Sequence, residues 1–295
     1  MSKLRKILFI INPISGIGKK ETIPALIDEV LTGLFETEIV YTQAPKHATE
    51  LSKEAAQKGY YAVFAVGGDG SVNEVAQGLI GSKTRLGIVP VGSGNGLARH
   101  LKIPLNPEKA IQTLVSGNYV VLDAGQINNH FFVGTAGIAF DAKIAERFWK
   151  LKKRGLVNYI KTILNEFKQY QAPTFTISEI DQESYQTKAF ILSVANASQY
   201  GNQAIIAPGA HAGDGYLELC TIDSFPTWKS PLVAFRMLTG TLNGAKYYQR
   251  KIVTSVSITG DFNWFHADGE PFECDGEVNI KVIPESLVVL APQFH

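Results

Sequence analysis

The sequence predicts an α/β fold in two parts: an N-terminal doubly wound α/β domain, residues 1–125, and a second, β-rich sandwich-like domain that follows it. Three observations predict this. Short apolar runs alternate with helical patterns through the first third, as in a parallel sheet covered on both faces. Three of those runs end in glycine-containing loops that precede helices. Near Asp123 the alternation stops, and strands follow one another without regular crossover helices, as in an antiparallel sandwich.

The elements run in order. Residues 6–11 are a buried strand, 22–34 a helix, 38–41 a strand and 48–58 a helix. Residues 61–66 read as a buried strand because the run is wholly apolar. A helix over 72–80, a strand over 86–91 and helices over 96–101 and 106–116 complete the first domain. In the second, strands are expected at 121–127, 130–135, 174–180, 188–195, 216–222, 251–259, 263–267 and 278–282. Helical stretches at 142–170 and 228–242 interrupt them.

Composition excludes several classes of function. Of 295 residues, 45% are hydrophobic and 19% charged, enough to bury a sizeable core. The balance of 28 basic and 27 acidic side chains gives a net charge of +1, so no nucleic acid is expected as a partner. Cys220 and Cys274 form no metal-ligand spacing and read as packed thiols. Lys3, Arg5 and Lys6 precede an apolar run too short for a signal peptide, cut off at Asn12-Pro13. No apolar stretch approaches the roughly 20 residues of a membrane-spanning helix. The expected location is cytoplasmic.

The three loops carry the chemistry. They are Asn12-Pro13-Ile14-Ser15-Gly16-Ile17-Gly18, Gly67-Gly68-Asp69-Gly70-Ser71 and Gly92-Ser93-Gly94-Asn95-Gly96. Glycine lets backbone approach a phosphate, and the helix that follows offers free N–H groups and a positive dipole end. In a parallel sheet such loops lie at the carboxyl ends of the strands. Ser71 and Glu74 fit a capping box. Asp69 fits no simple turn: an acid inside a phosphate loop calls for a bridging cation, and Mg²⁺ is the usual one. A P-loop is excluded because Pro13 stands where its first glycine belongs and Lys20 follows Gly18-Lys19. The dinucleotide fingerprint fails because Gly92, Gly94 and Gly96 have the wrong last spacing.

Gly67-Gly68-Asp69-Gly70-Ser71-Val72-Asn73-Glu74 resembles the nucleotide loop of the diacylglycerol kinase catalytic family, which includes bacterial lipid kinases and sphingosine kinases. Asn12-Pro13 with Ser15-Gly16, Thr42 with His47-Ala48, and Pro90-Val91-Gly92-Ser93-Gly94-Asn95 with Leu97-Ala98-Arg99 fit its other first-domain motifs. Asp123-Ala124-Gly125, Ala207-Pro208 through Asp214-Gly215 and Leu217, and Asp268-Gly269-Glu270 are similar to its second-domain motifs. The segment from Ile283-Pro284 to Pro292 resembles a closing strand that returns to the first domain. The resemblance therefore implies domains of 1–125 plus 285–295, binding ATP, and 126–284, binding lipid.

The resemblance also implies roles. Asn12, Ser15, Gly16, Thr42, Gly67, Gly68, Asp69, Gly70, Ser71, Val72, Asn73, Glu74, Gly92, Ser93, Gly94 and Asn95 would contact ATP. Asp69 would act through the catalytic Mg²⁺. Glu270 would be the general base toward a lipid hydroxyl, with Asp69 as rival for that role. Asp214, with the backbone carbonyls of His211 and Tyr216, would bind a second Mg²⁺. Asp141 would meet the lipid headgroup or, on the local residues alone, cap the helix after it. Ser71 replaces the commoner Thr, Gly96 stands where many bacterial members carry Asp, and Ile17 where some carry Lys.

The expected activity is transfer of the γ-phosphoryl group of ATP to a membrane lipid, on the membrane surface. Phe148-Trp149-Lys150-Leu151-Lys152-Lys153-Arg154 is a candidate contact with that surface. Two rivals stay open: an NAD kinase, which shares the acidic glycine loop, and a catalytically silent lipid- or nucleotide-binding protein. Neither the lipid nor the oligomeric state, homodimer included, follows from the sequence.

Overall fold

The computed structural model describes residues 4–14, 20–151, 156–167, 169–180, 182–201 and 203–292. The chain divides into two compact units, Met1–Leu122 with Glu285–His295, and Asp123–Pro284. In order the elements are β1 (Arg5–Ile11), α1 (Ile23–Leu31), β2 (Phe35–Tyr41), α2 (His47–Gln57), β3 (Ala62–Gly67), α3 (Asp69–Leu79), β4 (Arg85–Pro90), α4 (Gly96–His100), α5 (Pro107–Ser116) and β5 (Tyr119–Ile127). There follow β6 (His130–Phe132), β7 (Thr135–Gly137), α6 (Phe140–Trp149), α7 (Leu156–Phe167), β8 (Thr174–Glu179), β9 (Tyr185–Ala195) and β10 (Leu217–Asp223). The last are α8 (Ser230–Thr239), β11 (Tyr248–Val253), β12 (Ser255–Gly260), β13 (Trp264–Ala267), β14 (Glu270–Glu273) and β15 (Glu277–Leu290).

The first unit is a parallel sheet in the order β15-β4-β3-β1-β2, with β15 joining β4 through Val289 and Leu86. Every residue of β3 is buried, which is why its sequence is an unbroken apolar run. Ile23, Ile27 and Leu31 of α1 lie one helical turn apart. They pack with Ile111 of α5 over Ile7, Phe9 and Ile11. Leu8 and Ile10, of opposite parity, face the other side of the sheet, where α2 packs on α3. The unit is thus wound on both faces, as its sequence predicts.

The second unit is a β-sandwich built on β9. Tyr185–Lys188 pair with β8, whereas Ala189–Ala195 pair with β10 and with β7. One sheet therefore continues through β8, β12 and the first half of β15, and the other through β11, β10, β7, β13 and β14. Ile127, Phe132, Phe175, Leu192, Leu219, Ile258 and Phe265 share one apolar core. A second core, rich in aromatic rings, joins Phe140, Phe190, Ile222 and Val233 with the partly buried Phe167 and Phe225. Cys220 and Cys274 are free thiols, the first buried and the second half-buried.

Several boundaries differ from the sequence expectation. The strand expected at 251–259 is two strands in different sheets, β11 and β12, parted at Thr254, because alternation alone carries no mark of which sheet a strand joins. The helical stretch 142–170 is likewise two helices, and 130–135 two short strands. β14 lies in no expected strand. β15 runs past Pro284 to Leu290, with Glu285 held at a φ of 49°. Proline cannot donate to a sheet ladder, so this irregularity falls where the strand passes from one unit to the other.

Candidate active site

In the first unit the loops after β1, β3 and β4 meet at one end of the sheet. The second and third touch backbone to backbone: a Cβ added at Gly92 would lie 2.3 Å from the Gly68 Cα and 2.9 Å from the Asn95 Oδ1. Asp69 locks them together. Its Oδ2 accepts the Asn95 N–H at 2.8 Å and its Oδ1 the Gly96 N–H at 2.6 Å. Asn95 holds a left-handed conformation (φ 54°), and its side chain closes the loop through the Gly92 N–H (3.1 Å) and the Gly92 carbonyl (2.8 Å). Arg99 donates to the Gly94 carbonyl at 3.1 Å. Burial pushes the Asp69 carboxyl above its ordinary range, against the pull of these N–H groups and of Arg99.

The first loop is tied to the second. Asn12 donates through Nδ2 to the Ser71 Oγ at 3.1 Å and accepts the Ile14 N–H at 3.0 Å. Thr42, at the end of β2, donates its N–H to the Ile11 carbonyl at 2.9 Å, which sets it beside Asn12. Ser15 and Gly16, expected to bind ATP, and Ile17 lie outside the described residues.

The capping box expected of Ser71 and Glu74 is not formed. α3 begins at Asp69 with Gly68 as its cap, so Ser71 already lies within the first turn. Glu74 accepts the Ala48 N–H through Oε2 at 3.3 Å, and its carbonyl accepts the Thr49 hydroxyl at 2.8 Å. Glu74 thereby serves the start of α2. With no side-chain cap, the positive end of α3 is left to the loop cluster. Val72 and Asn73 are buried, and the Asn73 Oδ1 has no hydrogen-bond partner among the described residues. Gly70 and Ser93 are exposed.

The second unit holds the other expected residues. Asp268 and Gly269 both have positive φ (48° and 81°) between the paired residues Ala267 and Glu270. This is the two-residue hairpin that an Asp-Gly pair favours. The Asp268 side chain folds back and accepts three N–H groups, from Val133 (2.8 Å), Gly134 (2.8 Å) and Thr135 (2.9 Å). Burial outweighs those donors and raises its carboxyl to about 6. Glu270, first residue of β14, is half-buried.

Next to this hairpin the expected Asp141 meets two further side chains, His266 and Tyr200. His266 is buried and accepts the Gly269 N–H through Nδ1 at 3.2 Å, so its proton sits on Nε2. That nitrogen lies 3.5 Å from the Asp141 Oδ2, which also accepts the Tyr200 hydroxyl at 3.0 Å. Burial raises the Tyr200 hydroxyl well above its ordinary value, so it acts as a donor. Ala139, not Asp141, is the cap of α6. A Cβ at Gly137 would strike both Asp141 and His266. No motif announces Tyr200. The Asp-Gly dipeptide was the available sign of the hairpin.

The expected metal loop is also in this unit. Asp214 accepts the Tyr216 N–H at 3.0 Å, and the His211 carbonyl accepts the Gly213 N–H at 2.9 Å. Asp123, buried beneath, accepts the Gly215 N–H at 2.7 Å and donates its own to the Ala212 carbonyl at 2.7 Å. The Asp214 carboxylate and the His211 and Tyr216 carbonyls would offer oxygen alone, a hard ligand set that suits Mg²⁺. The described residues contain no cluster of three or more His, Cys, Asp or Glu side chains able to hold a metal. A metal here would depend on carbonyls and water beside the carboxylate.

Comparison with known proteins gives concordant results. Residues 6–127 match the family described as diacylglycerol kinase catalytic domain. Residues 134–291 match the family described as YegS C-terminal NAD kinase beta sandwich-like domain. A diacylglycerol kinase of Mycobacterium tuberculosis is 28% identical over 304 residues, covering 99% of this chain and 96% of its own. A probable lipid kinase, YegS-like, of Yersinia pestis is 30% identical over 253 residues, covering 81% and 82%. The crystal structure of a diacylglycerol kinase from Bacillus anthracis shares the fold, with a TM-score of 0.76 at 21% identity and coverage of 99% and 98%. Yeast NADH kinase is a more distant structural neighbour, at 0.56 and 10% identity over 99% and 85%.

Proposed function

Because the chain belongs to the diacylglycerol kinase family, we propose that it transfers the γ-phosphoryl group of ATP to a lipid hydroxyl, diacylglycerol or a close relative. The observation that carries this reading is the pair of glycine loops locked by Asp69 at the open end of α3. Phosphoryl transfer needs little covalent help from a protein; it needs polyphosphate held still and its charge neutralised. Backbone N–H groups at the end of α3, the Asn12–Ser71 pair and the unpartnered Asn73 Oδ1 supply polar contacts for the nucleotide.

Both oxygens of Asp69 hold backbone N–H groups, which makes it a clamp first and a weak candidate for the base. Each oxygen keeps a second lone pair, so Asp69 suits a water of Mg²⁺ as well. Asp214 with the carbonyls of His211 and Tyr216 would hold a further Mg²⁺, which would supply charge neutralisation. Glu270 is then the base that takes the acceptor hydroxyl's proton. Asp141, kept in place by Tyr200 and His266, faces the lipid headgroup. The lipid is met at a membrane surface; no helix among the described residues is long and apolar enough to cross one.

The test is ATP-dependent phosphate transfer by purified protein into a panel of lipids in mixed micelles, with NAD as a control. Transfer to one lipid, abolished in Glu270→Gln and Asp69→Asn, is the expected result. Transfer to NAD, or ATP binding with no transfer, would overturn the reading.

A further inference from the structure

Helix α8 is apolar on both sides. Val233, on its inner side, is buried, and Met237 packs with it against Ile222, Phe225 and Leu242. Its outer side carries Leu232, Phe235 and Leu238, exposed by 46%, 61% and 54%, and Trp228 just before it is exposed by 76%. The spacings of four, three and three residues place these four side chains in one stripe. A surface helix normally turns polar residues outward, and a contiguous exposed apolar stripe marks a docking surface.

The charge around the stripe selects the occupant. From Ser224 to Gly260 the sequence contains no Asp or Glu, while Lys229, Arg236, Lys246, Arg250 and Lys251 all fall within it. Arg250 and Lys251 are engaged by Glu218 and Glu179. Lys229 lies 5.2 Å above the Trp228 ring, joining a cation to the aromatic at the edge of the stripe. Arg236 flanks the stripe one turn further on, and Lys246 is exposed. Aromatic and aliphatic side chains bordered by cations fit the interface of an anionic bilayer. A second copy packed face to face would oppose Lys229 and Arg236 to their own counterparts, which disfavours self-association.

We propose that the outer face of α8 docks the protein on anionic phospholipid membranes, with Trp228, Leu232, Phe235 and Leu238 entering the headgroup layer and Lys229, Arg236 and Lys246 meeting lipid phosphates. This deepens the lipid kinase reading and rests on it for its purpose. It names a surface distinct from the segment at 148–154. There Lys150 pairs with Glu146 at 2.6 Å. Lys152, Lys153 and Arg154 lie outside the described residues.

The experiment is sedimentation of the whole protein with vesicles of phosphatidylcholine, alone or with phosphatidylglycerol. A variant combining Trp228→Ser, Leu232→Ser, Phe235→Ser and Leu238→Ser alters only exposed positions, and its thermal midpoint checks that it folds. The expected result is loss of about tenfold or more in binding to phosphatidylglycerol vesicles. Lys229→Gln with Arg236→Gln and Lys246→Gln should remove the preference for the anionic lipid. A folded serine variant that binds as wild type does, a wild-type protein that binds neither vesicle, or a stripe variant that merely converts a dimer to a monomer would overturn the proposal. Phosphate transfer to a short-chain diacylglycerol dispersed as monomers is measured alongside. It tests the kinase reading separately, and the stripe variant should retain it.

Discussion

The Asp69 carboxylate spans the backbone N–H groups of Asn95 and Gly96, so an acid on one glycine loop fixes the shape of the next. An acid within a nucleotide loop looks electrostatically wrong until its partners are counted. Here its negative charge is spent on two amide dipoles.

Asp69→Asn keeps the size but sets an amide N–H against a backbone N–H. Hydrogen bonds to charged groups contribute about 1.5–3 kcal/mol, so a loss of about 2 kcal/mol in stability is expected. Thermal unfolding and titration with Mg-ATP check it: the variant should unfold earlier and bind nucleotide weakly.

The crossing of the loops predicts a graded series at glycine. Gly92→Ala drives a methyl group into Gly68 backbone and should cost about 1–3 kcal/mol, with loss of nucleotide binding. Gly68→Ala, whose Cβ would lie 3.2 Å from the Gly92 Cα, should cost less. Gly70→Ala, with nothing within 4 Å, should be tolerated. Equal damage at all three would refute the packing explanation.

Asp268 makes stability depend on pH. Its folded pKa of about 6 lies above the ordinary carboxyl value, so between these values the folded state binds more protons than the unfolded state. Stability must then fall as pH rises through that window, by an amount on the order of 3 kcal/mol for a shift of this size. Relative to Asp268→Asn, the wild type should be more favoured at pH 4.5 than at pH 7.5 in denaturant titrations. A pH-independent difference would contradict it.

His266→Ala releases the Gly269 N–H and one neighbour of Asp141 together. If the hairpin presents Glu270 to the acceptor, kcat with lipid should fall about tenfold to a hundredfold while the KM for ATP holds. A matched rise in the ATP KM would mean general loosening instead.

Mg²⁺ should raise the melting temperature of the wild type by binding the folded state. Asp214→Ala should reduce that rise, leaving the remainder to the nucleotide loops. Differential scanning with and without chelator decides this.

The first unit was legible because its signals are local. The apolar run before Gly67 is long enough to name a buried strand, and each glycine loop follows its strand directly. What stayed hidden depends on distant partners. Glu74 reads as a capping residue from its spacing to Ser71, yet it serves Ala48, 26 residues earlier. His266 and Tyr200 converge on Asp141 from separate strands and loops, and no spacing encodes that. The break at Thr254 was invisible because Ile252, Val256 and Ile258 alternate in the sequence as one strand would, although Ile252 is exposed and Val253 buried.

The strand β15 has a consequence for how the molecule is made. Its last residues complete the sheet of the nucleotide unit at Leu86, yet they leave the ribosome after all of the second unit. Throughout translation the nascent sheet therefore carries a bare β4 edge, open to any other unpaired strand. The sandwich can close first, and the nucleotide loops reach their final frame only afterwards. The half whose synthesis begins first is therefore the half that matures last.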